Sequence, residues 1–466
     1  MTMSTAENQV HNIEPVYDNN SKILILGSFP SVRSREMGFF YGHPQNRFWR
    51  VLSCLLGVDV PESIDAKKQM LLEHGIALWD VIASCDIAGS DDSSITNVIA
   101  NDIKSLLDKS HIKVIYCNGN KAKELYDRYI FPEIGIKSIR LPSTSPANAA
   151  FSYDELCSSY ARILTALKRT DYGTKYYSLN SYANDFYGKK LYRLALDGGF
   201  TCPNRDGKLD TRGCIFCDGG SGDFAGKSGD SIAAQLETEK RLISEKLPKT
   251  KPCGYIAYFQ SFTGTYDEVT RLEELYMQAV ADPEVDIVSI ATRPDCLGRD
   301  VLELLGRINK IKPVWIELGL QTIHKNTAEY IRRGYELKVY DKAIRNLHRA
   351  GIRHIITHVI LGLPGEDKKM MLETAQYVGM SGGEGIKLQL LHVLKGTDLA
   401  EDFCNDKFKV LEREEYYEII RDILEELPAD MVVHRLTGDG NKARLIAPLW
   451  SGDKKRVLND LNRILR

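Results

Sequence analysis

The sequence has no run of about 18 apolar residues, the length a helix needs to cross a bilayer, so nothing in it marks a membrane partner. It also lacks a dominant charge. With 61 Lys and Arg against 63 Asp and Glu, a net charge of −2, its overall charge gives no sign of a nucleic-acid partner. Low-complexity tracts and short-period repeats are missing, which argues against solenoids and disordered scaffolds. The opening MTMSTAENQVHNIEPVYDNN has neither the apolar core of a secretory signal nor the Arg-rich make-up of a transit sequence, and the expectation is a cytoplasmic protein. Cysteine supplies no disulfide framework: Cys54, Cys85, Cys117, Cys157, Cys253, Cys296 and Cys404 stand singly and read as small hydrophobes in a reducing compartment.

What is present begins with length. At 466 residues the chain exceeds what one hydrophobic core organises, and two domains are expected, residues 1–170 and 171–466. In the first, SKILILGSFPS, GIALWDVI and IKVIYCNG read as short buried parallel strands, with helices around 46–56 and 120–129 and a closing helix over 153–170. That alternation predicts a three-layer α/β/α domain with a parallel sheet and functional loops at the carboxyl ends of the strands. A Tyr-, Asn-, Ser- and Gly-rich stretch, DYGTKYYSLNSYANDFYGKK, reads as the linker and entry to the next domain. From Leu191, six strands (LYRLALDGG, CGYIAYFQS, VDIVSIATRP, PVWIELGLQT, IRHIITHVILGLP, GIKLQLLHVLKG) alternate with helix-length segments. A full or partial (β/α) barrel is the economical architecture, and a doubly wound open sheet is the alternative.

Three cysteines differ from the rest because they share one Gly-rich loop, GGFTCPNRDGKLDTRGCIFCDGG. A closed structural zinc site needs four ligands, usually in two pairs. Here Cys202 stands apart from the pair Cys214 and Cys217, and no second pair follows. Three thiolates suit a [4Fe-4S] cluster with one iron left open. Zinc with a distant His, or a plain structural loop, remain open on spacing alone.

At these residues the chain resembles the radical SAM superfamily, in the bacterial group that carries CPNRDG and GGC-x-FC, and the likeness continues through YFQSFTGTY, IATRPDCL, WIELGLQT and ILGLPGE. The resemblance implies a [4Fe-4S] cluster on Cys202, Cys214 and Cys217, with S-adenosylmethionine bound through its amino and carboxylate groups at the open iron. Reduction by a donor such as flavodoxin or ferredoxin would cleave the sulfonium to a 5′-deoxyadenosyl radical that takes hydrogen from a substrate. Gln260, Ser261, Arg293, Glu317 and Gln321, expected at strand ends, are the candidates to line the SAM site. Cys404 stands alone, so no auxiliary cluster is expected. The substrate, which nucleic acid would suit, is not written in any stretch.

In the first half, Gly27, Ser28, Phe29, Pro30 and Ser31 follow a strand and offer backbone amides and a ring to a flat base and its phosphate. Arg33, Arg35, Arg47 and Arg50 lie nearby and are candidate phosphate contacts, or an ordinary solvated face. With YGHPQNRFW, ALWDVIASC and LPSTSPANAA in that order, residues 20–168 resemble the uracil-DNA glycosylase superfamily, in its hypoxanthine-DNA (deoxyinosine) branch. The resemblance implies DNA as partner and excision of a flipped deaminated base, hypoxanthine or uracil. It gives Asn46 the orienting of the attacking water and Phe29 the stacking on the base. Ser143, Thr144 and Ser145 would meet phosphates while Pro146 and Ala147 press into the minor groove. His43 is a candidate acid or base, or a turn cap. Because GSFPS has neither the Asp nor the Asn common in that motif, duty falls to Asn46, or this half is a non-catalytic nucleic-acid-binding module serving the barrel. The reading is a fusion of two enzymes.

Overall fold

Two apolar runs, Ile23–Gly27 and Val114–Asn118, are buried along their whole length, which a strand allows only where helices cover both faces of its sheet. The computed structural model describes residues 7–170, 173–219, 229–245, 253–438, 440 and 442–465. Of the cysteine loop, Gly220 falls outside the described residues. The chain divides into two units: unit 1 holds Met1–Arg169 with Pro428–Asp430, and unit 2 the remainder.

Unit 1 has strands β1 (Glu7–Val10), β2 (Ile23–Gly27), β3 (Ile76–Asp80), β4 (Ile82–Ile87), β5 (Thr96–Ala100), β6 (Val114–Asn118) and β7 (Ser138–Leu141). Its central sheet is parallel, in the order β3-β2-β6-β7. Successive side chains go to opposite faces, so Ile23 and Ile25 pack with Phe48, Trp49, Leu156 and Tyr160, while Leu24 and Leu26 pack with Leu106, Leu125 and Tyr126. This is the expected α/β/α arrangement. Beside it, β1, β4 and β5 form a small antiparallel sheet that the sequence reading did not include. The closing helix is two, Tyr153–Tyr160 and Arg162–Lys168, the first opened by a capping box of Ser152 and Glu155.

Unit 2 has β8 (Tyr177–Ser178), β9 (Lys190–Leu196), β10 (Cys253–Phe259), β11 (Val285–Thr292), β12 (Val314–Gln321), β13 (His354–Leu361), β14 (Gly385–Leu390), β15 (Val393–Leu394), β16 (Val432–Arg435) and β17 (Leu445–Ala447). Eight strands form one parallel sheet in the order β8-β16-β14-β13-β12-β11-β10-β9. The six from β9 to β14 run in chain order without the reversal that defines a doubly wound sheet, and the two ends do not pair, so the architecture is a partial (β/α) barrel. Outward residues such as Leu194, Val288, Ile316 and Ile355 pack under the surrounding helices. Inward residues Leu191, Ile256, Ile287, Trp315, Ile356 and Val432 form an apolar layer with Tyr182 and Ala183 of the helix Leu179–Tyr187. That helix occupies the stretch read as linker; Ser178 caps it by accepting from the Ser181 amide. Among the described residues no helix is long and apolar enough to cross a membrane.

Candidate functional site

In unit 1 the chemistry gathers where the parallel strands end. Gly27 ends β2 beside Asp80, its register partner at the end of β3. A Cβ on Gly27 would lie 2.1 Å from Asp80 Oδ1, so only glycine admits this carboxylate. Asp80 is buried, with Oδ2 2.9 Å from His11 Nε2. The His11 ring meets Phe29 edge-on at 6.0 Å and lies 6.2 Å from Phe40. The Tyr41 hydroxyl is buried near Gly27 without a hydrogen-bond partner among the described residues, and burial, reinforced by the Asp80 charge, pushes its pKa far up. A lone buried donor next to an unusual carboxylate is the kind of polar grouping found where a ligand is read.

Of the predicted residues here, Phe29 is buried with the Arg35 guanidinium 5.6 Å from its ring centre. Arg35 also donates to the Pro30 carbonyl, at 2.9 Å, and the Ser28 hydroxyl donates to Asp92, at 3.0 Å. Asn46 and His43 are half-buried. Asn46 Oδ1 accepts from the Phe48 amide at 3.0 Å, an Asx turn leading into the helix Phe48–Leu56, while its Nδ2 makes no hydrogen bond among the described residues. His43 Nδ1 accepts from the Gln45 amide at 3.2 Å.

Arg47 joins this turn to the later loop. Its guanidinium donates to the carbonyls of Phe151, Ser145 and Asn148 at 2.5, 2.9 and 2.9 Å, and its amide donates to Thr144 O at 3.1 Å. Arg47 is therefore a structural clamp and not the phosphate contact that its charge suggested. Thr144 is fully buried, its hydroxyl and amide bonded to Asn118 at the end of β6, both at 3.0 Å. Ser143 and Ser145 are half-buried, and Ser143 sits so close to Gly119 that a Cβ there would approach it to 3.2 Å. The structure thus brings Asn46, the Ser143–Ser145 loop and the end of β6 together. Asp80, Tyr41 and His11 were not singled out from the sequence; the signal for Asp80 was a charged residue closing the apolar strand of ALWDVIASC.

In unit 2, Cys202, Cys214 and Cys217 are free, partly exposed thiols on the loop that follows β9. Asn204 is buried and holds the loop by three hydrogen bonds. Its Nδ2 donates to the Arg332 carbonyl at 2.7 Å and to Cys214 Sγ at 3.4 Å, and its own carbonyl accepts from the Gly213 amide at 2.7 Å. Arg205 donates to the Cys217 carbonyl at 2.7 Å and fills the space beside Gly213, where φ is +78° and a Cβ would lie 2.8 Å from Arg205 Nε. Burial, with the neighbouring Cys217 and Cys202, pushes the Cys214 thiol up to about 11. Such a thiol becomes a thiolate when a metal supplies the compensating charge. Three free thiols on one loop, a sulfur-directed amide and a glycine-cleared backbone fit an iron-sulfur cluster. Among the described residues no three His, Cys, Asp or Glu side chains are drawn together as ligands of a single ion.

The predicted SAM-lining residues divide. Gln260 and Ser261 follow β10, half-buried and buried, and Arg293 follows β11 with a two-pronged bond to Asp295 at 2.9 and 2.8 Å. Gln321 ends β12 at φ +66°, its amide against the Gly319 and Leu320 carbonyls at 3.2 and 2.8 Å. Glu317 is not at a strand end. It sits one barrel layer below, fully buried, where it bonds Ser289 at 3.1 Å, His358 Nε2 at 2.7 Å and Lys387. Lys387 also reaches the Tyr258 hydroxyl at 3.2 Å, and Arg193 meets His434 Nδ1 at 3.0 Å. Seven strands thus send polar side chains into the barrel interior, on six of them two residues along from the apolar one. Burial would raise the Glu317 carboxyl, but Lys387 and His358 outweigh it and hold the group ionised; burial lowers His358 to about 4 and His354 to about 3, so both rings are neutral.

Comparison with known proteins divides the chain in the same way. The model of the uracil DNA glycosylase superfamily matches residues 14–168, that of the radical SAM superfamily residues 211–378, and that of the radical SAM C-terminal domain residues 384–466. YtqA of Bacillus subtilis, described as an uncharacterized protein, is 43% identical over 292 residues, 62% of this chain and 89% of its own. YhcC of Escherichia coli strain K12 is 35% identical over 60% of this chain and 88% of its own. A hypoxanthine DNA glycosylase of Methanosarcina acetivorans is 38% identical over 139 residues, 29% of this chain and 87% of its own.

Proposed function

Because this chain belongs to the uracil DNA glycosylase superfamily over unit 1 and to the radical SAM superfamily over unit 2, we propose that it is a bifunctional enzyme that excises deaminated bases from DNA and performs radical chemistry on a second substrate. Membership of the second superfamily brings a [4Fe-4S] cluster and S-adenosylmethionine, which when bound supply reductive cleavage and hydrogen abstraction. Cys202, Cys214 and Cys217 would hold the cluster, Asn204 would direct an N–H at one of its thiolates, and Arg205 would keep the loop closed around it. Gln260, Ser261, Arg293 and Gln321, at the ends of three neighbouring strands, would orient the cofactor.

In unit 1 the observation that carries the reading is the joining of Asn46 to the loop at Thr144 through Arg47. It places the amide proposed to orient water beside the loop proposed to grip the strand. The Asn46 Oδ1 is fixed by the Phe48 amide, so its second lone pair has a defined direction for a water hydrogen. Phe29 would present its ring to the flipped base, and Asp80 and the Tyr41 hydroxyl would accept from and donate to its edge. Ser143 and Ser145, both half-buried, would be the phosphate contacts. The cysteines are tested by Cys214→Ala: anaerobically reconstituted wild type should hold about four irons per chain, and the variant should lose them. A variant that kept a full cluster would remove Cys214 from the ligand set. The glycosylase reading is tested by hypoxanthine excision from duplex DNA, expected in wild type and lost in Asn46→Ala.

A further inference from the structure

The polar layer inside the partial barrel carries more positive charge than it neutralises. Glu317 is its carboxylate, engaged by Lys387 and by His358. His358 donates through Nε2 to Glu317 and accepts through Nδ1 from Gln389 Nε2, at 3.3 Å, the pattern of a neutral ring. Two guanidinium groups remain, and neither can shed its proton. Arg193 stands 3.9 Å from Glu317 and meets His434 Nδ1, and its Nε is buried with no partner among the described residues. Arg435 is the register partner of Lys387 on the adjacent strand and makes no hydrogen bond or ion pair among the described residues. One carboxylate shared among Lys387 and the half-buried Arg193, with Arg435 beside them, leaves positive charge in excess, and the remedy within reach of both guanidinium groups is an anion from outside.

Access follows the same side chains. Lys387 and Glu317 are closed off, whereas Arg193, His358, Gln389 and Arg435 are each partly exposed. The apolar layer below is capped by the helix Leu179–Tyr187, and Arg193 lies on the strand that leads directly into the cysteine loop. We propose that this layer is the substrate seat of the radical reaction, and that the substrate enters with an anionic group, a carboxylate or a phosphate, held between Arg193 and Arg435. The inference rests on the radical SAM reading of unit 2 and adds the charge of its substrate.

The test uses the full-length, cluster-loaded chain and follows its thermal unfolding midpoint while inorganic phosphate or acetate is titrated separately at constant ionic strength. In wild type at least one anion should raise the midpoint by mass action. Arg193→Gln and Arg435→Gln should each weaken the apparent affinity at least tenfold, and Arg299→Gln, on the outer surface, should leave it unchanged. A response to phosphate alone identifies a phosphate seat, and a response to acetate a carboxylate seat. Should Arg193→Gln fail to fold, Arg435→Gln decides. An unchanged response in the folded variants, or none in cluster-loaded wild type, overturns the proposal. A wild type that cannot be loaded with a cluster counts instead against the radical SAM reading.

Discussion

Asn204 shows how one side chain can join structure to cofactor chemistry. Its amide bonds a thiol of the proposed cluster and the Arg332 carbonyl together, so replacing it removes the shorter of two hydrogen bonds to a half-buried carbonyl, at a cost of about 0.5–1.5 kcal/mol. Asn204→Ala should still take up iron but lose it faster in air than wild type, read from the decay of visible absorbance; equal decay would show that the bond to sulfur is unimportant. The residue stands inside the CPNRDG motif, yet nothing in the motif reveals where its side chain points, because that depends on Arg332, 128 positions later. Asp80 was hidden for a similar reason. Its closeness to Gly27 is a matter of strand register, which the local pattern does not fix. Asp80→Asn should keep the hydrogen bond to His11 while removing the charge, and excision of hypoxanthine should fall by at least tenfold; unchanged kcat/KM would remove Asp80 from the base site.

The barrel elements were legible because each strand is a short β-branched run followed by a helix, and the order of the six repeats left little topological choice. Their inward face was legible in principle. Single polar residues interrupt LYRLAL, IVSIAT, WIELGL, IITHVI and GIKLQL at alternate positions, and a period-two reading would have grouped Arg193, Ser289, Glu317, His358 and Lys387. The elements that were missed lack such patterns. β1 and β5 are largely exposed with no apolar alternation, and the helix Leu179–Tyr187 is rich in Asn, Ser and Tyr, drawn into helix by the packing of Tyr182 against Trp315 and His354.

The same layer predicts a pH dependence. The His358 ring is lowered from 6.5 to about 4 by burial, so between these values the unfolded chain binds a proton that the folded chain refuses. Stability therefore falls as the pH drops from 6.5 to about 4, by about 3 kcal/mol from this ring at 1.36 kcal/mol per pH unit. His354, lowered to about 3, acts in the same direction, whereas Glu317 contributes only below the ordinary carboxylate value of 4.5. The urea midpoint of unit 2 should decline over this window in wild type and less steeply in His358→Gln. Equal slopes would mean that His358 titrates normally.

At the scale of the whole molecule, the two proposed chemistries rest on two separate sets of residues, and no residue proposed for one belongs to the other unit. Cys214→Ala should empty the cluster site and leave base excision intact, while Asn46→Ala should abolish excision and leave the iron content at about four per chain. Loss of both functions in either variant would tie the units into one activity. Unit 1 runs to Arg169 and takes up Pro428–Asp430 again, a return that no change of composition marks.

The most direct measurement is an excision assay on duplex DNA carrying a single deoxyinosine, with wild type beside Asn46→Ala. Wild type should release hypoxanthine and the variant should not. Intact, folded, cluster-loaded wild type that releases no base would contradict the glycosylase reading and make unit 1 a binding module for the radical enzyme.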